Sequence, residues 1–235
     1  MKNKTIYRCR ECGFSSPKWL GRCPECGAWN TMDEELAPSK NLSAIFSSSS
    51  RRRTLTDFSS RVSLIKDISE GDFKRTATGI SEFDRILGGG VVDGSVVLLG
   101  GPPGIGKSTL MLQVASELFS KSKNHVLYIS GEESAAQIKN RAQRILPGKD
   151  ALSDGIYVLC ETNLENIIEN IRNISPKYVV IDSIQTIYRE DLSGAPGTVS
   201  QVRECAAEIL KIAKAGALSI FILGHVTKEG DLAGP

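Results

Sequence analysis

Four cysteines crowd into positions 9–26 as Cys9-x-x-Cys12 and Cys23-x-x-Cys26, an internal repeat written CRECG and CPECG. Two cysteines three apart in a tight turn direct both sulfurs at one point. The glycine after each pair, Gly13 or Gly27, accepts the positive φ that turns nearby amides toward the sulfurs. Two such knuckles supply four thiolates, a set suited to tetrahedral Zn²⁺. Iron also accepts four thiolates, and two disulfides are the alternative that a reducing compartment disfavours. With every ligand a cysteine, no coordination position stays open, so the expected zinc is structural rather than catalytic.

A second stretch, Gly101-Pro102-Pro103-Gly104-Ile105-Gly106-Lys107-Ser108, fits G-x-x-x-x-G-K-[ST] between a predicted strand and a predicted helix. Its glycines let backbone amides wrap a β-phosphate. Pro102 and Pro103 carry no N–H, so the cradle begins at Gly104. Lys107 is placed to neutralise β/γ oxygens, the Ser108 hydroxyl to reach Mg²⁺, and Thr109, at the helix N-terminus, to meet an α-phosphate. ATP with Mg²⁺ is the expected ligand. Asp182 closes the apolar run YVVID. A carboxylate at the carboxyl edge of a buried parallel strand lies beside such a loop and suits the acid that serves Mg²⁺. Glu132 and Glu133 directly follow HVLYIS. Glu132 is the first choice for polarising an attacking water and Glu133 the second. The plainer alternative is that both acids sit near the next helix start, where its dipole favours negative charge. His225 either senses a γ-phosphate or is a satisfied strand-end histidine, with Thr227 and Lys228 in the same loop.

These groups need a scaffold, and the periodicity supplies one. GSVVLLGG (94–101), HVLYIS (125–130), IYVLC (156–160), KYVVID (177–182) and LSIFILG (218–224) read as buried strands. Between them lie helical patterns over Lys107–Phe119 and Ala135–Ile145, the latter ended by Pro147-Gly148. A stripe from Leu164 to Ile174, capped by Asn163, and another from Val199 to Ala213 complete the alternation. Apolar strands alternating with amphipathic helices predict an α/β fold with a parallel sheet covered on both faces.

Residues 1–32 form the expected four-cysteine module, too short to bury a core without a metal staple. Residues 33–60, with SSSSRRR, read as a flexible linker, and 61–235 as the α/β domain. Trp19 and Trp29 flank the second knuckle; covering the zinc site is the preferred reading, stacking on bases the other. Arg51, Arg52 and Arg53 either track phosphates or form a solvated charge run. Residues 1–61 carry net charge +5 and the remainder −3, so an anionic partner is sought at the N-terminal end. Cys160 and Cys205 stand alone in apolar surroundings. Composition, 40% hydrophobic and 24% charged with 22 glycines, excludes a disordered, collagenous or coiled-coil chain. No apolar run reaches the ~18 residues of a membrane span, and MKNKTIYRCR lacks a signal-peptide core. A cytoplasmic protein without a membrane partner is expected.

The strings YRCRECGFSSPKWLGRCPECGAWN, TGISEFDRILGGG, GGPPGIGKSTL, YISGEES, VVIDSIQT and GHVTKEGDLAGP, in one order, resemble the bacterial RadA (Sms) family of RecA-like ATPases. The resemblance covers nearly the whole chain. It implies a RecA-like P-loop core behind a zinc module at Cys9, Cys12, Cys23 and Cys26. It places the phosphate loop at Gly101–Thr109, the Mg²⁺ acid at Asp182 and the water-activating glutamate at Glu132. The activity it implies is a DNA-dependent ATPase of DNA repair and homologous recombination, promoting branch migration on single-stranded or branched DNA beside RecA. A hexameric ring and a nucleoid-associated location also follow from the resemblance. The family's Lys-Asn-Arg-Phe-Gly motif and Lon-protease-like domain do not occur in these 235 residues, so the match is to the N-terminal part. A KaiC-like nucleotide switch and a non-catalytic zinc adaptor are the competing classes.

Overall fold

The computed structural model describes residues 5–36, 64, 66, 74–146 and 155–226. Arg51–Arg53, Pro147-Gly148, Thr227 and Lys228 lie outside the described residues. Near the N-terminus, β1 (Thr5–Cys9) runs between β2 (Ser15–Ser16) and β3 (Met32–Leu36), antiparallel to both. The third strand continues through Leu36, four residues past the expected module edge at 32. Among the described residues the buried hydrophobic side chains here are Cys9, Cys23 and Met32, with Tyr7, Cys12, Phe14 and Leu20 packed against them. The apolar interior is therefore too small to order these strands without the cysteine cluster.

The second unit begins with β4 (Arg75–Thr76), helix α1 (Ser81–Ile86) and β5 (Val91–Val92), β4 pairing antiparallel with β5. Its main sheet is built from β6 (Val96–Gly101), β7 (Val126–Ser130), β8 (Ile156–Cys160), β9 (Tyr178–Asp182) and β10 (Ser219–His225). The order is β6-β10-β9-β7-β8 and every pairing is parallel. Helices α2 (Lys107–Ser122), α3 (Ala135–Ile145), α4 (Leu164–Ile174) and α5 (Val199–Gly216) connect the strands.

Alternation along each strand splits the core into two layers. Leu127, Ile129, Val179 and Ile181 pack with Leu164 and Ile167 of α4 and Val202 and Ile209 of α5. Val126, Tyr128, Tyr178 and Val180 pack with Met111, Val114 and Leu118 of α2 and Ile138 of α3. β7 and β9 are buried throughout, as expected of strands covered on both faces. The outer strands are not: Leu98 on β6 and Tyr157 and Val158 on β8 are exposed, because an outermost strand has one neighbour and incomplete helix cover. Asn163 caps α4 by accepting from the Asn166 amide, and Ser134 with Gln137 forms a capping box on α3. Among the described residues no helix is long and apolar enough to cross a membrane.

The register fixes the functional edge. His225 lies opposite Gly101, and Ser130 lies opposite both Asp182 and Cys160. The phosphate-loop motif, Asp182, the start of the Glu132 loop and His225 thus gather at the carboxyl edge of one parallel sheet.

Candidate active site and metal centre

The four cysteine ligands Cys9, Cys12, Cys23 and Cys26 bring their sulfurs within 4.8 Å of one another. Cys9 Sγ lies 3.6 Å from Cys26 Sγ, and Cys12 Sγ 3.4 Å from Cys23 Sγ. Zn–S bonds of about 2.3 Å in a tetrahedron require sulfur separations of about 3.8 Å, so the set fits zinc. The turns form as the repeat requires: Gly13 and Gly27 adopt φ 76° and 73° and donate to the carbonyls of Cys9 and Cys23. Burial raises the Cys9 thiol, but hydrogen bonds from Thr31 and the Cys12 and Glu11 amides outweigh it and bring it down to about 6. Burial, with the sulfurs of Cys23, Cys26 and Cys9 around it, pushes Cys12 up to about 12.

One expectation about this module is corrected. Trp19 and Trp29 do not cover the metal site: they are 55% and 70% exposed. The strands and knuckles already enclose Cys9 and Cys23, leaving no interior for an indole, and Trp29 instead carries the Arg22 guanidinium 5.7 Å from its ring centre. The module also touches the larger unit. Arg8 Nη1 donates to Glu204 Oε1 of α5 at 2.6 Å, and a Cβ on Gly13 would meet Arg203 Nη1 at 2.8 Å. Cys160 is likewise exposed rather than set in apolar surroundings, because β8 is an outer strand.

At the sheet's carboxyl edge a cavity of about 310 Å³ is lined by Pro103, Gly104 and Gly106–Thr109 from the loop, and by Glu132, Glu133, Arg141, Asp182 and His225. Gly106 adopts φ 101° and directly precedes α2, so the helix N-terminus opens into this space. Gly101 and Pro102 lie behind the rim, where their carbonyls accept from Lys107 Nζ at 2.7 and 2.9 Å. Ile105 is exposed at the loop tip.

Lys107 begins a chain of polar contacts. Its Nζ is 3.3 Å from His225 Nδ1, and His225 Nε2 is 3.0 Å from Glu132 Oε1. An ammonium only donates, so Nδ1 accepts and Nε2–H donates to the carboxylate, which selects one histidine tautomer. Ser183 Oγ donates to the same Glu132 Oε1 at 2.7 Å. Burial opposes the Glu132 charge, but Ser183, His225 and the nearby Lys107 charge hold its carboxyl below the usual glutamate range. The peptide bond between Asp182 and Ser183 is cis.

Glu132 and Glu133 part company in three dimensions. Glu133 forms an ion pair with Arg141 of α3, and its carbonyl accepts from Cys160 Sγ at 3.3 Å. Glu132 turns to Ser183 and His225. Gly131 permits this turn: a Cβ there would lie 2.2 Å from Thr186 Oγ1, and its amide donates to the Asp182 carbonyl at 3.0 Å. Asp182 is buried and its Oδ2 accepts from the Tyr128 hydroxyl at 2.6 Å. Burial, then the Asp182 charge, raises Tyr128 far above the ordinary tyrosine value, so it stays a donor. The serine and aspartate oxygens available beside the loop are the hard donors that suit Mg²⁺.

Sequence reasoning placed the loop, Asp182, Glu132 and His225, all of which line or border one space. It did not single out Ser183, Tyr128, Gly131 or Arg141. Tyr128 left a faint signal, a hydroxyl inside the otherwise aliphatic VLYI. Arg141 left none, since an arginine on a helix is ordinarily a solvated one.

A parallel sheet whose first crossover carries a phosphate-binding loop, with an acid closing a central strand, is the arrangement of P-loop ATPases. Residues 65–231 match the family model described as AAA domain, and the chain belongs to that family. Residues 7–34 match the rubredoxin metal binding domain, so the fold is a RecA-like P-loop core preceded by a zinc ribbon. The chain is 52% identical over 237 residues to DNA repair protein RadA of Bacillus subtilis. It is 50% identical over 234 residues to the Listeria monocytogenes protein of that name, and 48% to that of Streptococcus pyogenes serotype M6. Each alignment covers 100% of this chain and 49% of the relative, so the chain spans about half the length of these relatives.

Proposed function

We propose that this chain carries the ATP-hydrolysing unit of a DNA repair protein. The carrying observation is the unbroken contact chain Lys107–His225–Glu132–Ser183 along the wall of the cavity that the phosphate loop opens into. Amides from Gly104 to Thr109 hold the phosphates, and Lys107 leaves the Gly101 and Pro102 carbonyls for the β/γ oxygens. Ser108 and Asp182 would hold Mg²⁺, which, when bound, screens the phosphate charge and polarises the γ-phosphoryl group. Glu132, kept ionised, accepts the proton of the attacking water as its oxygen bonds to phosphorus, and the bridging oxygen leaves with ADP. Glu133 is spoken for by Arg141 and serves the wall rather than the water. The zinc at Cys9, Cys12, Cys23 and Cys26 stabilises the ribbon.

In the whole protein we assign the DNA-dependent form of this activity, acting on single-stranded or branched DNA during homologous recombination. Branch migration beside RecA, in a homohexameric ring within the nucleoid, is the fuller form of this reading. Relatives named for DNA repair over the full alignment support it, as does the N-terminal excess of positive charge. ATP turnover measured with and without single-stranded DNA tests it. DNA should raise the rate, and Lys107→Ala should remove it with or without DNA. Turnover indifferent to DNA in the full-length protein would favour a nucleotide switch, and absence of nucleotide binding would overturn the assignment.

A further inference from the structure

Tyr128 is, with Tyr178, among the largest fully buried side chains of the described residues, and its hydroxyl has one proton to donate. It spends that proton on Asp182 Oδ2 at 2.6 Å, two buried strands meeting where β7 and β9 pair in parallel register. Tyr128 stands opposite Val180 and Ser130 opposite Asp182. The tyrosine therefore points from one level below, within the layer shared with α2, up to the strand end. Asp182 is 5% exposed, so its carboxylate has little water to orient it, and the phenol fixes which oxygen faces inward. The other oxygen is left for the cavity that Ser108 also lines.

We propose that Tyr128 is a positioning residue for the cation of the nucleotide site, acting through Asp182. The inference rests on the ATPase reading and deepens it: the phenol holds one carboxylate oxygen so that the second meets hydrated Mg²⁺ in one orientation. Partners that orient a metal-serving carboxylate this way carry a measurable share of metal affinity. Phenylalanine keeps the ring packing and removes only the donor, which makes the substitution a clean probe.

The experiment uses the whole chain with a fluorescent ADP analogue and Mn²⁺ as a paramagnetic stand-in for Mg²⁺. In Tyr128→Phe, metal-free nucleotide affinity should stay within about twofold, while Mn²⁺ affinity of the nucleotide complex falls about tenfold. In an Asp182→Asn background the same substitution should add no further loss, which a merely structural tyrosine would not reproduce. Unchanged Mn²⁺ affinity, or equal losses with and without metal, overturns the proposal. Should Tyr128→Phe fail to fold, fluorotyrosine placed at position 128 replaces it. Its fluorine resonance must move when Mg²⁺ joins the nucleotide complex, and a fixed resonance overturns the proposal. Failure of the wild-type chain to bind nucleotide at all would instead strike the ATPase reading itself.

Discussion

Removing the zinc should unfold the ribbon and leave the ATPase core standing. Among the described residues the ribbon's apolar cluster buries Cys9, Cys23 and Met32, whereas the core has two separate apolar layers on either side of its sheet. Structural zinc in small modules contributes roughly 10–16 kcal/mol of apparent binding free energy at neutral pH, so its loss exceeds anything three buried side chains restore. Between the two units, the Arg8–Glu204 ion pair is one polar link, a contact of about 1 kcal/mol at such part-exposed positions. The expected effect on nucleotide affinity is therefore less than about fivefold. The sequence offers a convenient assay: both tryptophans, Trp19 and Trp29, lie in the ribbon. Tryptophan fluorescence reports the ribbon alone, and a fluorescent nucleotide reports the core. Stripping the metal with a chelator should change the first signal, as Arg22 leaves the Trp29 ring, and spare the second. Binding should also release protons. In the unfolded, metal-free ribbon the four thiols take the ordinary cysteine value of about 8.5, so nearly all are protonated at pH 7. At least two protons should leave per zinc bound, and zinc affinity should fall as pH falls. An unchanged tryptophan signal in verified metal-free protein would refute the reasoning, as would loss of nucleotide binding together with the metal.

Glu132→Gln should lower turnover about 10²–10⁴-fold, the usual share of a general base, with nucleotide affinity held within about threefold. Stopped-flow binding beside steady-state hydrolysis separates the two, and normal turnover would remove Glu132 from the mechanism. Because its neighbours hold the Glu132 carboxyl below the usual range, turnover should stay flat from pH 7 down to the ordinary glutamate value of about 4.3. A loss of rate with an apparent value near 6 would assign the limiting group elsewhere. Asn163→Ala removes both the α4 cap and a hydrogen bond to the Glu190 carboxylate at 2.9 Å. Thermal unfolding should show a loss of about 2 kcal/mol, roughly 4–8 °C, without a change in nucleotide affinity.

The features legible along the chain were local ones. The two Cys-x-x-Cys knuckles, the Gly-rich loop before Lys107 and the acid at the end of YVVID each express their chemistry within a few consecutive residues. Spacing alone therefore carried them. The alternation of apolar runs with amphipathic stripes likewise specified a parallel α/β core, because each element's period reflects the face it buries. Tertiary structure decided what depends on elements distant in the chain. Glu132 and Glu133 are adjacent and chemically alike, and the approach of Ser183, 51 residues on, and of His225, 93 residues on, gives Glu132 surroundings that Glu133 lacks. The Tyr128 hydroxyl could not be read as a partner of Asp182 until β7 and β9 lay side by side. The exposure of Trp19 and Trp29 is of the same kind. An indole's burial depends on how much interior a module has to offer, and the ribbon's is filled by its own cysteines. Hydrogen bonding and burial between remote segments are set by strand order and register, and no local pattern of residue types encodes those.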